Sequence, residues 1–277
     1  MINLNDVSYQ YNGAAAQAIQ NLSLSIKKGE LVVITGKSGC GKTTLGKILC
    51  GLKKEQSGTV LLDGRAFPAR VRSKTVGYVM QNLDFQLFGC SVYDDLLLGN
   101  EALPDKENRI QTVLTKIGLS ELQEQHPTTL SMGQKQRLVV AASFLQNKRL
   151  TIFDEPTSGL DYGSMQNVCA LIDSITGKTN ASVIITHDYE FILNTCNRAV
   201  LLEDGQIKED LTLVAKIAQP KLNDEFAYRK HRLLNVCADA HECNGLKNSH
   251  FVQPLHCKED FQLNGTMQLE HIFKERL

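Results

Sequence analysis

The chain has 277 residues, of which 42% are hydrophobic and 22% are charged, enough for one large domain with a full core, or for one domain plus a small appendage. Lysine plus arginine equals aspartate plus glutamate at 30 each, a balance that lacks the basic excess typical of nucleic-acid-binding proteins. No stretch reaches the roughly 20 apolar residues of a membrane span, and the first residues lack the basic and apolar regions of a secretory signal. We therefore expect a cytoplasmic protein without a nucleic-acid partner.

The order of the predicted elements indicates an α/β fold. Apolar and polar residues alternate at 7–11 and 22–26, which is typical of half-exposed strands and predicts an antiparallel β subdomain at the start. Continuous apolar runs, typical of strands buried in a parallel sheet, follow at 31–34, 150–153 and 182–186. Helical spacing at 105–125 and 131–147 predicts an inserted helical subdomain over about 82–145. Residues 200–202 before Gly205 predict a closing hairpin. Ligands of such folds bind at the carboxyl ends of the strands.

A phosphate-binding loop follows the first buried strand. Residues 36–43 match the pattern G-x-x-x-x-G-K-[ST] without a mismatch, between a strand and a predicted helix. Its glycines let the backbone wrap a phosphate, and the helix N-terminus attracts negative charge. We expect Lys42 to reach the outer phosphates and the Thr43 hydroxyl to bind Mg²⁺. The predicted nucleotide-binding residues are Gly36, Lys37, Ser38, Gly39, Cys40, Gly41, Lys42, Thr43 and Thr44.

One residue of this loop is a cysteine. Cys40 lies next to the N-terminus of the predicted helix and two residues before Lys42. The positive end of the helix and the charge of Lys42 should both lower the pKa of the thiol. We therefore expect Cys40 to be reactive and to be protected by MgATP.

A second apolar strand ends in two acidic residues. Asp154 and Glu155 follow residues 150–153 and should lie at the ligand-binding edge of the sheet. We expect Asp154 to bind Mg²⁺ through water. Glu155 should point the other way and orient or deprotonate the attacking water.

A third motif selects one family among phosphate-loop proteins. Residues 130–134 read LSMGQ, which resembles the ABC signature L-S-G-G-Q with Met132 in place of the first glycine. Ser131 and Gln134 also form the pattern of a capping box that opens a helix. Together with the loop and the acidic pair, this resemblance identifies the chain as a member of the ABC ATPase family.

The resemblance implies further site residues. Gln81, after the predicted strand 76–80, matches the glutamine that contacts Mg²⁺ and the attacking water, and Asp161 matches the D-loop aspartate. His187 matches the switch histidine at the γ-phosphate. Tyr11 matches the aromatic residue that stacks on adenine, with Tyr9 as the alternative.

The resemblance also implies an assembly. Two such domains, identical or different, pair head to tail around two ATP molecules, so that Ser131, Gly133 and Gln134 face the phosphate loop of the other domain. Hydrolysis separates them, and integral membrane subunits convert the movement into transport. The chain would then lie at the cytoplasmic face of the membrane. We expect the ATPase domain at 1–214 and a C-terminal extension, with dimerisation as one role, at 215–277.

Residues 81–88 read QNLDFQLF, which resembles the Q-N-P-D-x-Q-L-F segment of energy-coupling-factor transporters with Leu83 in place of proline. In that family the segment lies near the membrane subunit, so Leu87 and Phe88 are candidate interface residues, with core packing as the alternative. The resemblance implies import of a vitamin or a transition-metal ion.

Other classes of protein fit the sequence less well. Only 50 positions separate Gln81 from Ser131, too few for the inserted coiled coil of repair-type ABC proteins. Translation-type members usually carry two ATPase domains in one chain. A degenerate regulatory domain would not need Glu155 and His187. Near the C-terminus, Cys237, His241 and Cys243 suggest a zinc site, although their spacing matches no C-x-x-C pattern and a small packing extension is the alternative.

Overall fold

A computed structural model describes residues 1–188, 191–192 and 195–213. The expectations placed on residues 215–277, including the zinc site, lie outside the described residues. Within the described part the chain forms ten β-strands and six α-helices, which confirms the predicted α/β class.

The chain opens with an antiparallel sheet. Strands β1 (Ile2–Tyr9) and β2 (Ile19–Ile26) pair antiparallel, with Ile2 opposite Ile26. Strands β4 (Ser57–Leu62) and β5 (Arg65–Ala66) extend this sheet in the order β2-β1-β4-β5. The alternating pattern predicted β1 and β2, whereas β4 and β5 were not predicted.

The second sheet holds the candidate site. Its order in the described part is β10-β9-β3-β8-β7-β6. The strands are β3 (Leu31–Thr35), β6 (Val76–Val79), β7 (Leu150–Asp154), β8 (Ala181–Ile185), β9 (Arg198–Glu203) and β10 (Gln206–Thr212). Neighbouring strands are parallel except for the β9–β10 hairpin. Every residue of β3, β7 and β8 is buried, as continuous apolar runs predict for a sheet covered on both faces.

Six helices surround these sheets within the described residues. They are α1 (Lys42–Leu49), α2 (Ala69–Thr75), α3 (Val92–Leu97), α4 (Lys106–Ile117), α5 (Met132–Leu145) and α6 (Tyr162–Ile175). Short 3-10 helices lie at Leu83–Phe85, Ser120–Leu122 and Pro127–Thr129. Helix α4 ends before the predicted residue 125 because Gly118 takes a left-handed conformation, with φ of 67°.

The two sheets share one core. Leu4 of β1, Ile34 of β3, Leu45 of α1 and Ile152 of β7 belong to the same cluster and are each at most 1% exposed. Helix α1 therefore packs against the same core as β3 and β7. No helix in the described residues is long and apolar enough to cross a bilayer.

Candidate nucleotide-binding site

The phosphate loop connects β3 to α1 in a conformation that needs glycine. Gly36 and Gly41 have φ angles of 144° and 108°, in the region that residues with a Cβ rarely adopt. A Cβ at Gly36 would collide with the carbonyl of Leu202, and one at Gly41 with the carbonyl of Ala18. The end of β9 and the residue before β2 thus limit the path of the loop.

The open side of the loop suits an anion. Lys37, Ser38 and Gly39 are exposed, and the start of α1 at Gly41 has no side-chain cap, so its first amide groups are free to bind another acceptor. The Lys42 Nζ atom donates to the carbonyls of Gly36 and Lys37 at 2.5 and 2.9 Å. Positive charge and backbone donors therefore meet at one place, which fits the phosphates of a nucleotide.

The prediction of a reactive Cys40 is wrong. The side chain is buried, with 6% of its surface exposed, and burial raises the pKa of its thiol more than the nearby Lys42 charge lowers it. The sequence places Cys40 near the positive charge, but only the folded loop shows that the thiol points into the core, where Sγ approaches Gly36.

Two of the predicted metal-binding residues lie beside the loop. The Thr43 hydroxyl donates to Oδ1 of Asp154 at 3.3 Å across 111 residues of sequence. Tyr78 donates its hydroxyl to Oδ2 of the same carboxylate at 2.7 Å. Asp154 is 5% exposed, and burial raises its pKa. A hydroxyl and a carboxylate oxygen at this separation are hard ligands of the kind that Mg²⁺ takes, so Thr43 and Asp154 fit the metal.

Gln81, the third predicted metal-binding residue, is not joined to this pair. Its side chain is exposed and makes no hydrogen bond within the described part of the chain. Gln86 is the glutamine that contacts the strand, since its amide accepts from the Met80 N–H at 2.6 Å and donates to the Tyr78 carbonyl at 2.8 Å.

Glu155 and His187 lie together after the neighbouring strands β7 and β8. The Nδ1 atom of His187 is 2.9 Å from Oε1 of Glu155, and Oε2 accepts from the Thr186 hydroxyl at 3.1 Å. The hydrogen bond with Glu155 raises the pKa of His187. Glu155 has φ of 51°, a conformation that costs of the order of 1 kcal/mol for a residue with a side chain. Because of this left-handed turn, the side chains of Glu155 and Asp154 bond to different residues.

Tyr11 lies near the start of α1, which follows the phosphate loop. It is 38% exposed, and its hydroxyl is 3.1 Å from that of Thr44. Its ring meets Tyr9 edge to face at a centroid separation of 5.1 Å, and Lys53 Nζ lies 5.1 Å from its centroid. Tyr9 is partly buried against the core, so Tyr11 presents the more accessible ring.

The signature residues form a capped helix start. The Ser131 hydroxyl accepts from the Gln134 N–H at 3.3 Å, and the Gln134 side chain accepts from the Ser131 N–H at 2.8 Å, which is the predicted capping box. No hydrogen bond joins residues 131–134 to residues 36–43 in the described part of the same chain. Asp161 caps α6 by accepting from the N–H and the hydroxyl of Ser164 at 2.9 and 3.0 Å.

The sequence reasoning missed residues that link these motifs. The Thr157 hydroxyl donates to Oδ2 of Asp188 at 3.1 Å, and the Asp188 N–H donates to the Thr186 hydroxyl at 3.1 Å. The segment after β7 is therefore tied to the segment after β8. Thr157 and Asp188 stand next to motif residues, but their pairing has no signal in sequence spacing.

Comparisons with known proteins identify the family. The family model described as ABC transporter matches residues 19–158. A putative ABC transporter ATP-binding protein of Treponema denticola is 68% identical over 277 residues, which is 100% of this chain and 46% of that protein. The chain thus spans about half the length of that curated relative. The energy-coupling factor transporter ATP-binding protein EcfA1 of Thermotoga maritima is 36% identical over 195 residues, covering 69% of this chain and 74% of that protein.

Solved structures show the same fold. The structure of cbiO1 from Clostridium perfringens, described as part of the ABC transporter complex cbiONQ, has a TM-score of 0.70 at 25% identity and covers 84% of this chain and 98% of its own. The ATP-binding cassette MJ0796, solved as a dimer in a post-hydrolysis state with ADP and Pi, has a TM-score of 0.69 at 25% identity and covers 78% and 100%. With the phosphate loop, the acidic pair and the signature helix in one fold, the chain belongs to the ABC transporter family, as an ATP-binding cassette.

Proposed function

We propose that this chain binds ATP with Mg²⁺ and hydrolyses it. The observation that carries the proposal is that Glu155 and His187, 2.9 Å apart, follow strands β7 and β8 of the sheet whose strand β3 leads into the phosphate loop. Carboxyl ends of parallel strands meet at one edge of a sheet. A general base, a histidine and a phosphate-binding loop therefore share one edge.

Each residue then has a defined task. Lys42 and the loop amides bind the outer phosphates, while Thr43 and Asp154 would hold the metal, which would screen the phosphate charge. Glu155 accepts a proton from, or orients, the attacking water. His187 reaches the γ-phosphate and Tyr11 stacks on adenine. Gln81, whose side chain is exposed, would contact the metal and the water.

We further propose that two cassettes pair head to tail, as copies or with a related domain. Ser131, Gly133 and Gln134 lie at the start of α5, where Ser131 is exposed, and a helix N-terminus binds an anion well. The dimeric structure of the cassette MJ0796 supports the pairing of two cassettes. The division into an ATPase domain at 1–214 and an extension at 215–277 is part of the same proposal.

Replacement of one carboxylate tests this function. In Glu155→Gln the residue keeps its size but no longer accepts a proton, so ATP turnover should be lost while ATP binding persists and bound dimers accumulate. Phosphate release and size-exclusion chromatography measure both effects. Glu124→Gln, an exposed glutamate of the helical subdomain, is the matched control and should behave as wild type. Normal turnover in Glu155→Gln would show that Glu155 is not the base.

The finer proposal concerns transport. We infer an energy-coupling-factor importer for a vitamin or metal ion, in which the chain binds membrane subunits at the cytoplasmic face. The QNLDFQLF segment and the similarity to EcfA1 support it. Phe85 and Phe88 of this segment are 67% and 75% exposed, and large exposed apolar side chains in one segment indicate a contact surface. Leu87 is half-buried, so Phe88 is the better interface candidate of the predicted pair.

Co-purification tests the transport proposal. Membrane subunits expressed with this chain should co-purify with it, and Phe88→Ala should weaken that association while ATP binding persists. Leu52→Ala, an exposed leucine outside the segment, serves as the comparison. Equal recovery of the membrane subunits with Phe88→Ala and wild type would remove Phe88 from the interface.

A further inference from the structure

Tyr78 reaches the metal-binding carboxylate from the neighbouring strand. In the β6–β7 register Tyr78 lies opposite Ile152, and Asp154 follows two residues later on the same face of the sheet. A tyrosine ring is long enough to meet such a diagonal neighbour. Its hydroxyl donates to Oδ2 of Asp154 at 2.7 Å.

The two oxygens of Asp154 therefore have separate partners. Oδ2 accepts from Tyr78, and Oδ1 faces the Thr43 hydroxyl at 3.3 Å. Because the carboxylate is buried, a rotation that broke either contact would leave an oxygen without a partner, which is costly away from water. Hydrogen bonds from both sides thus fix the carboxylate plane.

The tyrosine is itself held in place. Gly46 of α1 makes room for its ring, since a Cβ at that position would come within 3.3 Å of the ring atom Cε2. Gln86 binds the Tyr78 carbonyl at 2.8 Å. Ring and backbone are fixed by different elements, so the hydroxyl has a defined position.

We propose that Tyr78 is a positioning residue for the metal site. Its hydroxyl occupies Oδ2 of Asp154, which leaves Oδ1 turned to the Thr43 hydroxyl, where a divalent cation bound with the nucleotide would be held. This inference rests on the proposed MgATP site. In this role Tyr78 acts on the metal only through Asp154.

The experiment removes one oxygen atom. Mn²⁺ replaces Mg²⁺ and is titrated by electron paramagnetic resonance into protein loaded with a non-hydrolysable ATP analogue. Tyr78→Phe should bind Mn²⁺ about tenfold more weakly than wild type, the effect typical of lost partners of metal ligands. Metal-free binding of the analogue should stay close to wild type, while the unfolding temperature should fall modestly because Oδ2 of Asp154 loses a buried hydrogen-bond partner. Tyr93→Phe removes a hydroxyl from α3 and should change none of these values. Asp154→Asn lacks the proposed metal-binding carboxylate and gives the background level of Mn²⁺ binding.

The outcomes separate two failures. If wild-type protein binds no more Mn²⁺ than Asp154→Asn, the metal site is misassigned and the inference about Tyr78 falls with it. If wild type binds Mn²⁺ and Tyr78→Phe binds it equally well, only the role of Tyr78 is overturned. An equal loss of metal-free nucleotide binding would make Tyr78 a general structural residue, which also overturns the proposal.

Discussion

The imidazole of His187 and the carboxylate of Glu155 form a hydrogen bond of 2.9 Å although 32 residues separate them in the chain. The two residues follow β7 and β8, adjacent parallel strands in which Asp154 lies opposite Ile185. The Glu155 N–H also donates to the Ile185 carbonyl at 2.8 Å. The contact is thus a consequence of strand register, and it places a titratable pair at the edge of the sheet.

This pair predicts a measurable titration. The pKa of His187 is raised by its hydrogen bond with Glu155, so the folded protein holds the extra proton above the pH at which a free histidine loses it. The stabilising contribution of the charged pair is complete below the unfolded pKa and disappears as pH rises through the folded one. In Glu155→Gln the pKa of His187 should fall, as measured by NMR of the imidazole, with His126 as internal reference. A higher or unchanged value would contradict the contact.

Two cysteines should differ in reactivity. Cys40 is buried with a raised thiol pKa, whereas Cys90 is exposed, and alkylation requires an accessible thiolate. We expect N-ethylmaleimide to label Cys90 first and Cys40 only slowly, as followed by mass spectrometry of the peptides. Cys90→Ser should remove the fast labelling of that peptide and leave the slow labelling of Cys40 unchanged. Faster labelling of Cys40 than of Cys90 would show that the loop opens in solution.

The capping box of α5 should contribute to stability. Ser131→Ala removes the hydroxyl that accepts from the Gln134 N–H, and loss of such a cap costs about 1 kcal/mol in the free energy of unfolding. Denaturant unfolding measures the change. Ser131→Asn retains an N-cap acceptor and should recover most of it, whereas Ser73→Ala, at an exposed serine of α2, should have little effect. An unchanged midpoint in Ser131→Ala would mean that the cap is frayed.

Gly133 is restricted by a neighbouring helix. A Cβ at Gly133 would lie 2.9 Å from the Ser164 hydroxyl oxygen, the same hydroxyl that donates to Asp161 at 3.0 Å. Gly133→Ala should therefore destabilise the protein by about 1 kcal/mol or more through overpacking, despite the higher helix propensity of alanine.

The double variant Gly133→Ala with Ser164→Gly provides the control, because it removes the opposing atoms. It should regain part of the lost stability relative to the sum of the single variants. Additive losses would show that the α5–α6 contact is not what excludes a side chain at Gly133.

The sequence predicted the elements whose causes are local. Buried strands appear as continuous apolar runs, the phosphate loop as spaced glycines before Lys42, and the start of α5 as Ser131 with Gln134 three residues later. Such signals lie within a few residues of each other, and the structure contains each element close to its predicted bounds. The burial of the Cys40 thiol could not be predicted from the sequence, because it depends on packing that neighbouring residues do not reveal.

Tertiary structure decided which motifs meet. Strand order puts β6 beside β7 and β7 beside β8, and only that order brings the Tyr78 hydroxyl to Asp154 and His187 to Glu155. The chain by itself determined that it carries a phosphate loop, an acidic pair and a signature helix. Their distances, burial and proton affinities come from long-range contacts of the folded sheet, because hydrogen bonds and desolvation depend on neighbours in space.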